Sequence, residues 1–290
     1  MLGTDNLIPV TDGQYLWVDS SQGASGHGDY DQPFTTLAAA YAACVTAQSD
    51  VIIMKVGHAE TISTNAALTF SKSGVSVVGL GNGALRPTIT LTGTSAAVTI
   101  TVSGANQLFR NFIVSTGRDE LVAAWTVQAA GCTIDGVDWV EASASYQAIT
   151  YITTTTAGDQ LTVTNCMIVQ VTAPAGNGMC ITLTGADDAK IMNNLIWWAT
   201  TNNAASGAIG GLTTASLRTT ITGNRIMTRS GASVVSLKPL ASTTGIWAYN
   251  YAGNANAVAS NVGVTGLGFF ENYVSNAGTT SGILDPAAGA

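Results

Sequence analysis

Six segments of this chain can be laid over one another, and that internal repeat limits the possible folds more than any other feature. They are Leu108-Phe-Arg-Asn-Phe-Ile113, Ile134-Asp-Gly-Val-Asp-Trp139, Val163-Thr-Asn-Cys-Met-Ile168, Ile191-Met-Asn-Asn-Leu-Ile196, Ile221-Thr-Gly-Asn-Arg-Ile226 and Phe269-Phe-Glu-Asn-Tyr-Val274. Each opens and closes on an apolar residue, and Trp247-Ala-Tyr-Asn-Tyr-Ala252 is a looser seventh copy. The openings follow one another at 22 to 30 residues, the length of one solenoid coil. A single coil of this kind cannot bury its own apolar positions, whereas stacked coils share one interior and satisfy their backbones in parallel ladders. The repeat therefore predicts an all-β, right-handed parallel β-helix.

The fourth place of the motif is Asn at Asn111, Asn194, Asn224, Asn250 and Asn272, with Val137 and Cys166 in the other two copies. Asn mixed with small apolar residues points to an inward-facing turn position. There the amide can hydrogen-bond its equivalent one coil on, so these five Asn are read as a structural ladder rather than as ligand contacts.

Upstream of the repeats the pattern changes. Tyr15-Leu-Trp-Val-Asp19 reads as a strand running into a polar, Gly-rich loop, Ser20 to Asp31. Pro33 suits a helix start, and Phe34, Leu37, Tyr41 and Val45 recur at helical spacing, which predicts a short amphipathic capping helix. The expected organisation is an N-terminal arm over 1–14, a capping module over 15–62, β-helix coils over 63–277 and a tail over 278–290. The near end of the solenoid is closed by the helix, and the far end is left for another subunit to cover.

Composition narrows the function classes. Charged residues make up 9% of the chain, against roughly 25% in an ordinary soluble domain, and the net charge is −7. No basic stripe exists for a phosphate backbone, so nucleic acid is excluded as a partner. Thr, Ser, Asn or Gly interrupts every apolar run well short of the roughly 18 residues a membrane helix needs, so a membrane is excluded too. Met1 to Gly13 shows no secretory pattern, which predicts synthesis in a cytoplasm.

The search for chemistry returns little. Cys44, Cys132, Cys166 and Cys180 form no CxxC pair and sit among small or apolar neighbours, so they read as buried hydrophobes, and no metal or other cofactor is expected. Asp135 and Asp138 share a coil and Asp187-Asp188 precede another, too sparse for an acidic cluster, and all four read as turn aspartates. His27 lies in the Gly/Ser loop with Asp19, Asp29 and Asp31, where a cation could sit, although a self-bonded loop accounts for them. His58 reads as a turn residue fastening the cap. Gly79-Leu-Gly81-Asn-Gly83-Ala84 fits a loose dinucleotide pattern, but Arg86-Pro87 and a β run follow where a helix is required. No catalytic residue is assigned. Among the aromatics, Trp197-Trp198 are the candidate interface residues, since neighbours in a strand face opposite ways.

Trp17-Val-Asp19, the polar loop, Gln32-Pro-Phe-Thr-Thr-Leu37, Val51 to Met54 and Gly57-His-Ala-Glu-Thr-Ile62 together resemble the opening module of pectate-lyase-like right-handed β-helix proteins. With Val75-Ser-Val-Val-Gly-Leu-Gly81 and Arg86-Pro-Thr-Ile89, the stretch is similar to β-helix proteins encoded beside structural genes of tailed bacteriophages. The resemblance implies a non-enzymatic virion structural protein, a capsid decoration or cement protein made in the host cytoplasm. It would sit on the head surface as a homotrimer bound to the major capsid protein. The alternative is a tail-spike or fibre module that binds or cleaves a host surface polysaccharide, which leaves carbohydrate open as a partner. A lyase or hydrolase is the enzymatic variant of that alternative.

Overall fold

The computed structural model describes residues 8–65, 68–93, 95, 97–201, 206–229, 234–253, 267–275 and 282–284. Within them the chain winds as a right-handed parallel β-helix. Each coil contributes in turn to sheet A (ten strands, Tyr15–Val18 to Leu267–Phe270), sheet B (ten strands, Ala59–Ile62 to Gly282–Leu284) and sheet C (seven strands, Thr69–Phe70 to Val235–Lys238). The pairing is parallel throughout except at the last strand of sheet B, Gly282–Leu284, which runs antiparallel to Asn272–Ser275.

Register across sheet A places Phe109, Ile134, Val163, Ile191, Ile221, Trp247 and Phe269 in one column, all buried. Six of the seven repeat copies are thus in phase, and the copy at Leu108 is displaced by one residue. Its ladder place belongs to Phe112, and Asn111 stands one position earlier, at the corner between sheets A and B. That corner position is left-handed in all seven repeat copies: Asn111, Gly136, Asn165, Asn193, Gly223, Tyr249 and Glu271 have φ of 58, 60, 56, 59, 68, 57 and 49°. Asn and Gly dominate there because they enter this region at least cost. Asn111 uses its amide instead to tie the glycine turn, donating to the carbonyls of Gly79 (2.8 Å) and Gly81 (3.0 Å).

The remaining four Asn form the ladder. The Nδ2 of Asn194 donates to the Oδ1 of Asn224 (2.9 Å), Asn224 to Asn250 (2.9 Å) and Asn250 to Asn272 (2.8 Å). Each Oδ1 also accepts the backbone N–H of the Asn before it, and Asn194 accepts that of Cys166 (2.9 Å). Val137 and Cys166 fill the same place without an amide, in coils where bulkier aromatics pack nearby. These include Trp125, Trp139 and Tyr151.

The interior is lined by an aromatic file. Tyr41, Phe70, Phe109 and Trp125 meet edge to face at centroid separations of 4.8, 4.8 and 4.9 Å. Tyr41 belongs to the helix α1 (Leu37–Ala43), which is shorter than its apolar spacing predicts. The Thr36 hydroxyl caps it by accepting from the Ala39 N–H (3.2 Å), so Phe34 falls outside and instead bridges Val18. At the other end Lys72 donates its ammonium to the carbonyls of Tyr41 (2.9 Å), which also accepts the Cys44 N–H (3.2 Å), Ala42 (2.8 Å) and Cys44 (2.6 Å). Lys72→Met is expected to cost about 2 kcal/mol, since it strips charge-assisted bonds from three carbonyls at once. A urea titration that shows no loss would assign those carbonyls to water.

Of the expected arm, residues 1–7 lie outside the described residues, and 8–14 run along the outside of sheet A. Ile8, Trp17 and Leu80 pack on Val51, Ile53 and Val78, and the Gln14 N–H donates to Asp50 Oδ1 (2.8 Å). His58, fully buried, fastens the cap. Its Nδ1 accepts from the Ser20 N–H (3.0 Å), its Nε2 lies 3.3 Å from Glu60, and Glu60 accepts the first N–H of α1 from Leu37 (2.7 Å).

Candidate functional site

Because the seven repeat copies turn the A–B corner alike, the residues flanking it stack into two straight columns, exposed or half-buried except at Asp138 and Ala248. On the sheet A side they are Arg110, Asp135, Thr164, Met192, Thr222, Ala248 and Phe270. On the sheet B side Asp138, Met167, Leu195, Arg225, Tyr251 and Tyr273 follow one another.

Toward the N-terminal end the corner is polar and charged. Asp135 accepts from the Arg110 Nε (2.9 Å) on Oδ2 and from the Asn165 Nδ2 (2.9 Å) on Oδ1. Its carboxylate stays partly open to solvent. Asp138 differs from the solvated turn aspartate expected: it is buried, bridged to Arg86, and holds the Met167 N–H (2.8 Å). Arg86 in turn donates to the Gly136 carbonyl (3.2 Å). Asp138 therefore closes the turn, and Asp135 is the carboxylate the corner presents.

Toward the C-terminal end the corner is aromatic. Tyr249 stands 59% exposed at the left-handed position and meets Phe270 edge to face at 5.6 Å. Tyr251 and Tyr273 stack at 5.3 Å with planes 14° apart, and the Arg225 guanidinium lies 5.9 Å from the Tyr251 ring. Four strand spacings separate Asp135 from this cluster, about 19 Å. A single extended ligand lying along the solenoid axis can touch both.

Sequence reasoning missed Arg225, Tyr249, Tyr251 and Tyr273. The signal was available: they occupy the places immediately before and after the ladder Asn, and a residue adjacent to an inward one faces outward. The Trp pair divides as alternation requires. Trp197 is 44% exposed on the outer face of sheet B, and Trp198 is fully buried, so Trp198 is withdrawn as an interface residue.

Other titratable groups are committed elsewhere. Arg218 grips Asp188 through two bonds of 2.8 Å and lies 3.5 Å from Asp187, and its hydrogen bonds hold the Asp188 carboxyl below the usual range. The Ser21 hydroxyl does the same for Asp19 within the Gly/Ser loop. Burial pushes the Cys44 and Cys166 thiols up to about 12 and raises Cys132 and Cys180 as well, which disfavours the thiolate at all four. Among the described residues no group of three or more His, Cys, Asp or Glu could hold a metal ion. No described helix is long and apolar enough to cross a membrane.

No protein-family model matches the chain, and no curated protein matches it by sequence. Solved structures do share its architecture. A rhamnogalacturonan lyase superimposes with a TM-score of 0.62 at 14% identity over 92% of this chain and 75% of its own. Pectin methylesterase PemA from Erwinia chrysanthemi gives 0.51 at 12% identity over 94% and 92%. Both carry the names of enzymes, which overturns the expectation that a chain of this form is no enzyme. At such identities the likeness speaks for the fold, and the fold is that of the pectate-lyase-like right-handed β-helices.

Proposed function

We propose that this chain binds and processes a polysaccharide, as a tail-spike or fibre module of a bacteriophage would, with the sugar chain lying along the A–B corner. The observation that carries the proposal is the straight outward file from the Asp135–Arg110 pair to the Tyr249, Tyr251 and Tyr273 cluster. Tyrosine rings offer apolar faces for the C–H surface of a sugar and hydroxyls at their edges, and Arg225 adds a hydrogen-bonding cation beside them. Between the two ends Asn165, Asn193 and Thr222 supply further polar contacts along the same line. The likeness in fold to enzymes named for polysaccharide substrates supports this reading over a head-shell role.

For bond cleavage the corner presents one solvent-open carboxylate with one guanidinium. Hydrolysis of a glycosidic bond uses two carboxyl groups flanking it, and the other carboxyl at this corner, Asp138, is buried and committed to Arg86 and the Met167 N–H. The pair suits elimination better: Asp135 takes the proton from the carbon beside a uronate carboxylate, and Arg110 stabilises the negative charge that develops there. The C–H electron pair becomes a C=C bond, and the glycosidic C–O bond breaks with its electrons on the leaving sugar oxygen, which takes a proton from water. The test is release of oligosaccharides with unsaturated ends, followed by ultraviolet absorbance on a panel of uronate-containing bacterial polysaccharides. Asp135→Asn is expected to lower the rate at least about 100-fold. Tyr251→Ala is expected to raise KM and leave kcat nearly unchanged. Absence of both binding and release across the panel would overturn the proposal.

A further inference from the structure

The middle of sheet B carries a second surface of different character. Val140, Met167, Val169, Leu195, Trp197 and Met227 face outward on four successive strands in register, and none of them is charged. They are partly to substantially exposed, Trp197 most of all. The only hydrogen-bonding group in the patch is the Trp197 indole N–H, so it cannot pair the many hydroxyls of a glycan. A contiguous uncharged patch of this kind is what a protein partner covers.

Charge and shape identify that partner. The chain carries −7, so two copies repel wherever their charged surfaces face each other, and an uncharged face is where they can meet at least cost. One file of the patch runs Ser115, Val140, Val169, Trp197, with the indole projecting beyond a line of small side chains. Each copy therefore offers both a knob and the seat for a knob in a single column. A two-fold axis across sheet B sets the Trp197 of each copy on the Val140 and Val169 of the other, a self-complementary contact. A three-fold assembly, as the resemblance implied, needs two apolar faces meeting at an angle, and sheet B supplies one.

We propose that this face of sheet B is the contact between two copies of the chain, with Trp197 as its anchor. The contact rests on the column Val140, Val169, Trp197 and Met227, shares only Met167 and Leu195 with the corner, and uses none of Asp135, Arg110, Arg225 or the tyrosines assigned to the polysaccharide. Sedimentation equilibrium across the micromolar range is expected to show a dimer for the full chain. Trp197→Glu should weaken the association at least about 30-fold, as loss of a central tryptophan does, with an unchanged circular dichroism spectrum. Val169→Gln, in the seat, provides the same reading if Trp197→Glu does not fold, and Tyr249→Ser at the corner should remain dimeric. A monomer at the highest concentration, a trimer, or variants that associate like the parent chain would each overturn the proposal. Polysaccharide release by a monomeric Trp197→Glu would leave the corner assignment intact, so the two readings fail separately.

Discussion

Asn224→Leu is expected to lower the stability of the solenoid by about 3–5 kcal/mol, because each buried polar group left unpaired costs about 1–3 kcal/mol. The Asn224 amide donates to the Ile191 carbonyl (2.8 Å), the Thr222 carbonyl (3.2 Å) and Asn250 Oδ1 (2.9 Å). Its oxygen accepts both the backbone N–H (3.1 Å) and the Nδ2 (2.9 Å) of Asn194. Leucine keeps the branched shape and meets none of these groups, so two donors of Asn194 are stranded in the buried interior. Asn272→Leu at the end of the ladder should cost less, since no further described Asn follows it. Urea denaturation followed by far-ultraviolet circular dichroism measures both. An Asn224→Leu loss below about 1 kcal/mol would show that the backbone amides find other acceptors.

Trp125→Ala is the other change expected to act strongly, at about 3–5 kcal/mol. Trp125 is fully buried, packs edge to face on Phe109 at 4.9 Å and lies 6.2 Å from Phe112. The two strands beside it, Ile100–Val102 and Ile152–Thr154, are held in register by their own backbone ladders. They cannot close on the vacated space, and the cavity persists. Thermal unfolding checks the loss, and a cycle with Phe109→Leu should give non-additive energies because the two rings share one contact. Strict additivity would place Trp125 outside the aromatic file.

Much of the coil was legible in the sequence because the corner demands a left-handed residue followed by an inward one, and only a few residue types serve each place. The same chemistry caused the one-residue slip at Leu108. Asn suits both the left-handed corner and the ladder, so Asn111 passed for a ladder residue when Phe112 fills that place. The helix shortened for a local reason, Thr36 being a better cap than Pro33 is a start. The site was harder to read. Coils of unequal length hide which outward residues stack, so Asp135, Tyr249, Tyr251 and Tyr273 share a corner while lying tens of residues apart. Trp197 and Trp198 were adjacent and conspicuous, and alternation sent only the first outward.

The reversed strand Gly282–Leu284 has a bearing on how this molecule could change in length. Parallel coils extend by templating, each presenting the next with a matching edge, and a strand of opposite direction on sheet B breaks the template. New coils appended after it would find no parallel edge on that sheet. Growth of the rod, by duplication in nature or by design, should therefore succeed through whole coils spliced between existing ones, where both neighbours already offer the right direction.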